Sequence, residues 1–277
     1  MAVWLVTGAS SGFGLYLTQE LLAQGHSVAA LSRHPHKSAE SSNSLLQIAA
    51  DITNEDQVSA AVRETIDRFG RIDVVVNNAG RGLLGAVEEA NEQEIRTVFD
   101  VNLFGALNII RHTLPFFREQ RSGTYVAISS LSGVSGGAGW GVYSASKFAL
   151  EGASEALAKE SGPLGIQVLI VEPGVFRTSF LNADNLLVSG KEIAAYEGVS
   201  EQRRRLEGNN SRQPGNPQAA ATRIIERVSE PFQENVANRL ILGSDALRVI
   251  QTKVDLLTAQ LEANRSGAAA TDYAEGA

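Results

Sequence analysis

The chain has 277 residues, 43% of them hydrophobic, enough for one large α/β core or two small ones. Its net charge of −7 argues against general binding to a nucleic-acid backbone, and with no cysteine there can be no disulfide, thiolate metal site or cysteine nucleophile. No apolar run approaches the ~20 residues a bilayer needs. The first motif begins too near the start to leave room for a cleaved signal, so a soluble, cytoplasmic protein without a membrane span is expected.

The apolar stretch from Ala2 to Val6 reads as a buried strand, and Thr7-Gly8-Ala9-Ser10-Ser11-Gly12-Phe13-Gly14 follows it and precedes a helix-like segment. Strand, glycine turn and helix together suit a dinucleotide. One glycine lets the chain turn tightly, another removes the Cβ that would block a pyrophosphate, and the helix start supplies free N–H groups. A turn joining any strand to any helix also uses glycines in this way.

Further strands are expected at 27 to 31, 45 to 50, 72 to 76, 124 to 128 and 166 to 171, with helix-length amphipathic segments between most of them. This alternation predicts one parallel sheet with helices on both faces and ligands at the carboxyl ends of its strands. Asn91 to Arg118 is expected as one long helix with Asn91 and Glu94 spaced as a cap, ended early or kinked at Pro115. Gly141 to Ser161 is expected as another.

Residues 176 to 217 break the alternation. The stretch begins with Phe176, Phe180, Leu181, Leu186 and Leu187 and later carries Arg203-Arg204-Arg205. It reads as a lid inserted above the sheet, with the arginines on a solvated helix face. A helix at about 218 to 228, a strand at 239 to 242 and a helix at about 245 to 263 follow. One domain over residues 1–264 with a flexible tail at 265–277 is therefore expected.

Tyr143 and Lys147 stand one helical turn apart on one face, which sets a cation beside a phenol and favours the phenolate. A Tyr-x-x-x-Lys pair is also a common surface arrangement. Here a Ser129-Ser130 pair ends a predicted strand, where an α/β sheet places ligand contacts.

With TGASSGFG at 7 to 14, Asn-Asn-Ala-Gly at 77 to 80, Asn102 in DVNLFG, Ser130, and YSASK ending at Lys147, the chain resembles the short-chain dehydrogenase/reductase family over nearly its whole length. The resemblance implies a Rossmann-type doubly wound sheet in a single domain. It also implies a catalytic set: Tyr143 as general acid or base, Ser130 polarising a carbonyl, Lys147 on the cofactor ribose and depressing the tyrosine pKa, and Asn102 holding a relay water. The cofactor contacts it implies include Gly8, Ser10, Ser11, Gly12, Phe13 and Gly14. Asp51 and Ile52 would lie near adenine, Asn78, Ala79 and Gly80 along its ribose, and Pro173, Gly174, Val175 and Thr178 around the nicotinamide. Asp51 also fits the start of a helix.

At the end of the second strand Ser32 and Arg33 stand where a carboxylate would select NAD. Arginine suits a 2′-phosphate, so NADP(H) is expected. His34, His36 and Lys37 are further donors or solvated loop residues. EPGVFRTSF, GNPQAAA and RLILGSDA resemble a branch that includes retinol- and steroid-like dehydrogenases and carbonyl reductases. That implies a bulky apolar carbonyl or alcohol substrate, with Trp140, Phe180, Leu181 and Leu187 as pocket walls or core. Reduction to alcohol without a metal is favoured, against an alcohol dehydrogenase or a non-catalytic NADP sensor. The resemblance further implies a homodimer or homotetramer built on the two long helices.

Overall fold

A computed structural model of the chain describes residues 1–35, 42–209 and 212–273. His36 and Lys37 lie outside the described residues. The elements are β1 (Val3–Thr7), α1 (Gly12–Ala23), β2 (Ser27–Ser32), β3 (Leu45–Ala49), α2 (Glu55–Phe69), β4 (Val74–Asn77), β5 (Gly82–Leu84), α3 (Glu92–Phe99), α4 (Ala106–Gln120), β6 (Gly123–Ile128), α5 (Gly141–Ser161), β7 (Ile166–Pro173), β8 (Leu186–Val188), α6 (Glu197–Asn209), α7 (Pro217–Ser229), β9 (Asn238–Leu242) and α8 (Ser244–Ala269).

Among the described residues, seven strands form one parallel sheet in the order β3-β2-β1-β4-β6-β7-β9. Strands buried on both faces send alternate residues to opposite sides. Trp4, Val6, Val28 and Ala30 pack with Leu17, Leu21, Ala221 and Ile224 of α1 and α7. Leu5, Ala29 and Leu31 pack with Val58, Val62, Ile109, Phe117 and Leu157 of α2, α4 and α5. The chain runs outward from β1 to β3 and then returns to β4 on the other side of β1, so the sheet is a doubly wound Rossmann sheet with its switch point between β1 and β4.

Asn91 caps α3 as expected: its Oδ1 accepts from Glu94 N at 2.9 Å, and its own N donates to Glu94 Oε2 at 2.8 Å. The expected single helix does not continue, because residues Asp100–Gly105 form a π-helical segment before α4. Two contacts mark this segment. The Asn102 amide is drawn to Arg81 and Ser146, and at Gly105 a Cβ would lie 2.6 Å from Ile52 Cδ1. Pro115 does not end α4, which runs on to Gln120 with buried Ile109 and Phe117 holding it on either side.

The described residues of the segment from 176 to 217 include regular elements. Among them are β8, which pairs with β5 in a small second sheet, and α6. At Gly82 a Cβ would lie 2.8 Å from Leu186, so glycine permits that close pairing. The three arginines divide: Arg204 and Arg205 are exposed, but Arg203 is turned inward onto Glu89. The final helix runs to Ala269, past the expected stop at 263, because Gly267 alone does not interrupt a segment otherwise made of helix-compatible residues.

Candidate active site

A cavity of about 910 Å³ lies at the carboxyl ends of the strands, across the switch point. Its floor is the turn after β1. Gly8 and Gly12 have φ of +65° and +52°, a region that glycine alone enters freely. A Cβ on Gly12 would have only Thr178 Cβ near it, at 3.7 Å, so this side of the turn is open. Gly14 does different work: a Cβ there would strike the Gly8 carbonyl and Asn78 Nδ2, so its glycine lets α1 pack on the strand ends and it does not line the cavity. The Asn78 side chain fixes the turn by donating to Thr7 O at 2.8 Å, and Thr7 Oγ1 accepts from Asn78 N and Ala79 N at 3.0 Å.

Ser10, Ser11, Phe13, Ser32, Arg33, Asp51, Ile52, Ala79, Gly80, Pro173, Gly174, Val175 and Thr178 all line this cavity, as do Ser130, Tyr143 and Lys147. One oxygen of Asp51 accepts from Thr53 N and Oγ1 at 2.9 and 2.8 Å, while Asn54 caps α2. Arg33 is exposed on the rim. Arg81, which sequence reasoning missed, stands on the same rim; its position directly after Asn-Asn-Ala-Gly was the available signal. Burial and the Arg33 charge hold its pKa below the ordinary value, and it donates to the Asp184 carbonyl at 2.9 Å.

Tyr143 and Lys147 are both buried on the inner face of α5. Burial pushes the Tyr143 phenol up to about 12, against the hydrogen bond from Ser130 that favours ionisation. This corrects the expectation of a phenol depressed by the neighbouring cation. Burial also lowers Lys147 to about 8, opposed by the charge of Glu151, and its Nζ donates to Ile128 O at 2.7 Å. The ammonium is therefore itself weakened by the dry site that protects the phenol's proton. Ser130 Oγ also accepts from Ser132 N at 3.1 Å.

Asn102 is close by but does not line the cavity. Its Oδ1 accepts from Arg81 N at 2.7 Å, and its Nδ2 donates to Arg81 O and Ser146 Oγ at 2.9 Å, so its amide is committed to protein partners. Of the expected pocket walls, Trp140, Phe180 and Leu181 line the cavity, and the Phe180 and Tyr143 rings are 5.6 Å apart. Leu187 instead packs with Leu83, Val98 and Val142, because β8 alternates its side chains.

The glycine floor, open on one side and bordered by two arginines, has the shape and charge to hold the phosphates of a dinucleotide. A phenol kept protonated beside a serine hydroxyl can donate to an oxygen placed between them.

The family model for short chain dehydrogenase matches residues 2–186. The chain is 40% identical over 235 residues to a 3-ketodihydrosphingosine reductase of Bacteroides thetaiotaomicron, covering 84% of this chain and 86% of that protein. The crystal structure of a short-chain dehydrogenase from Streptomyces avermitilis superposes with a TM-score of 0.86 at 37% identity, over 98% of this chain and 100% of that one. More distant structures share the fold. One from Burkholderia phymatum in complex with NAD has 19% identity, a TM-score of 0.78 and coverage of 94% and 95%. One from Burkholderia cenocepacia in complex with NADP has 23% identity, a TM-score of 0.72 and coverage of 94% and 96%. With its doubly wound sheet and glycine turn, the chain belongs to the short-chain dehydrogenase/reductase family and is an NAD(P)-dependent oxidoreductase.

Proposed function

We propose that this protein uses NADPH to reduce a ketone or aldehyde of an apolar, bulky substrate to an alcohol, with Tyr143 as the general acid. One observation carries the proposal: the buried Tyr143 phenol lies within hydrogen-bonding reach of the Ser130 hydroxyl, on the wall of the same cavity that the glycine turn and Lys147 line. Such a phenol is a donor awaiting a basic oxygen, which is the role reduction requires.

A dinucleotide held over the glycine turn between Gly8 and Gly12 would supply the hydride. Ser130 and Tyr143 together hold the carbonyl oxygen, stabilising the charge that develops on it, and the phenol releases its proton to that oxygen. Lys147, which lines the cavity one helical turn from Tyr143, would hold a ribose hydroxyl of the dinucleotide. Asn102 fixes the Arg81 backbone and, through Ser146, the first turns of α5, rather than presenting its side chain to the cavity. Phe180, Leu181 and Trp140 give the pocket its apolar wall.

Arg33 and Arg81 support NADPH over NADH, because two cations on one rim favour the dianionic 2′-phosphate. The Bacteroides relative's name supports long-chain 3-keto compounds as the first substrates to try. A homo-oligomer is supported by Phe104 and Phe148, which are 54% and 44% exposed on the outer surface beside α4 and on α5. The cytoplasm remains the proposed location.

Following loss of NADPH absorbance, with NADH in parallel, across aliphatic, aromatic, steroid, retinoid and 3-keto long-chain carbonyls tests the proposal. Consumption of NADPH with an apolar ketone is expected. NADPH binding without turnover across the panel would overturn the reductase reading.

A further inference from the structure

On α5, Tyr143, Lys147 and Glu151 follow one another at four-residue steps, so the three side chains share one face. Glu151 is 5% exposed and touches neither the cavity nor solvent to any extent. Its two oxygens are separately held: Oε1 accepts from Ser129 Oγ at 2.6 Å, and Oε2 accepts from Arg239 Nη1 at 2.7 Å. The same guanidinium pairs with Glu172, which is 1% exposed, and with Glu155 at 2.6 Å. Arg239 on β9 thereby joins α5 to the carboxyl end of β7, next to Pro173 and Gly174. Glycine at 133 permits the arrangement, since a Cβ there would run into the Glu151 carboxylate and Ser129 Oγ.

The buried Lys147 Nζ meets a neutral acceptor, the Ile128 carbonyl. A buried ammonium with neutral partners alone is strongly disfavoured. Glu151 stands buried one helical turn further along the same face of α5, the placement from which its charge opposes the cost of burying Lys147. We propose that Glu151 is the counter-ion of Lys147, clamped by Ser129 and Arg239 so that Lys147 stays protonated in its dry site; it is a positioning residue that acts through the lysine.

The electrostatics agree in direction. Burial draws Lys147 down to about 8, and the Glu151 charge draws it back up. The groups facing the pair are Tyr143 and Glu155 on α5, Ser129 after β6, Glu172 on β7 and Arg239 on β9. Burial and the Glu151 charge push the Glu172 carboxyl up, with Arg239 opposing.

The kinetic consequence rests on the proposed part of Lys147 in turnover; the protonation claim does not. The test is titration of the lysine side chains by NMR in the full-length protein labelled at lysine, with the Lys147 resonance assigned by its loss in Lys147→Met. Glu151→Gln is expected to lower the Lys147 pKa by about one unit or more and to move the basic limb of the kcat/KM profile to lower pH. At pH 8 activity would fall several-fold, with recovery toward the wild-type value at pH 6. Glu155→Gln, which removes a half-exposed partner of the same guanidinium, is expected to leave the Lys147 titration in place. If Glu151→Gln does not fold, Glu151→Asp carries the test, with a smaller shift in the same direction. An unmoved Lys147 titration in the folded variant overturns the counter-ion. A shifted titration with an unshifted kinetic profile upholds it and overturns the role of Lys147 in turnover.

Discussion

Tyr143 and Arg33 each make a separate demand on the proposed mechanism. Removing the phenol oxygen leaves Ser130 as a carbonyl partner but no acid, so Tyr143→Phe is expected to lower kcat by about 10²- to 10⁴-fold. Dinucleotide binding, followed by quenching of protein fluorescence, is expected to remain. If Arg33 pairs with the 2′-phosphate as proposed, Arg33→Ala is expected to reduce the preference for NADPH over NADH by about tenfold or more in kcat/KM, mainly through the NADPH term. Arg81 tempers that loss, so the double variant Arg33→Ala with Arg81→Ala is expected to lose more than either variant alone. An unchanged preference in the double variant would remove the basis for choosing NADPH.

Among the elements, the segment after β7 is tied down by one buried pair. Glu89 has no exposed side-chain surface and Arg203 has 11%, and they meet at 2.6 Å. Glu89 also accepts from Ala86 N and Ile193 N, both at 2.8 Å. Burial pushes the Glu89 carboxyl up, but those amides and Arg203 outweigh it and hold the pKa below the usual range. Glu89→Ala leaves a cation and two amides without their acceptor, and is expected to destabilise the protein by about 3 kcal/mol in urea unfolding. The π-helical segment makes a second element-scale prediction. In an ordinary helix Gly→Ala is favourable, but at 105 the new methyl meets Ile52, so Gly105→Ala is expected to destabilise by about 1 to 3 kcal/mol.

For the whole molecule, two buried groups of the proposed active site are expected to give stability an alkaline dependence. Lys147 titrates near 8 when folded and near 10.5 when unfolded, so between these values the unfolded chain binds more protons and stability rises with pH. The rise amounts to roughly 3 kcal/mol. Tyr143 acts oppositely: its folded value of about 12 exceeds the unfolded 10, so its contribution is present below pH 10 and is lost between 10 and 12. Chemical denaturation is therefore expected to show stability increasing from pH 8 to about 10 and then declining, with the increase absent in Lys147→Met.

The strand sequence, the parallel sheet, the boundaries of α5 and the glycine turn were legible in the sequence because they depend on local periodicity and on spacings within one or two turns. Tyr143 and Lys147 share a face for the same reason. The tertiary structure decided everything that required a distant partner. It set the π-helical break at Asp100–Gly105, where the Asn102 amide bonds to the Arg81 backbone and Gly105 packs against Ile52, and it turned Arg203 inward onto Glu89. It placed Arg81 beside Arg33 and built the carboxylate cluster around Arg239 from residues up to 88 positions apart. It also reversed the direction of the Tyr143 shift, because charge proximity can be read from helical spacing, whereas burial depends on how the whole chain closes around the site.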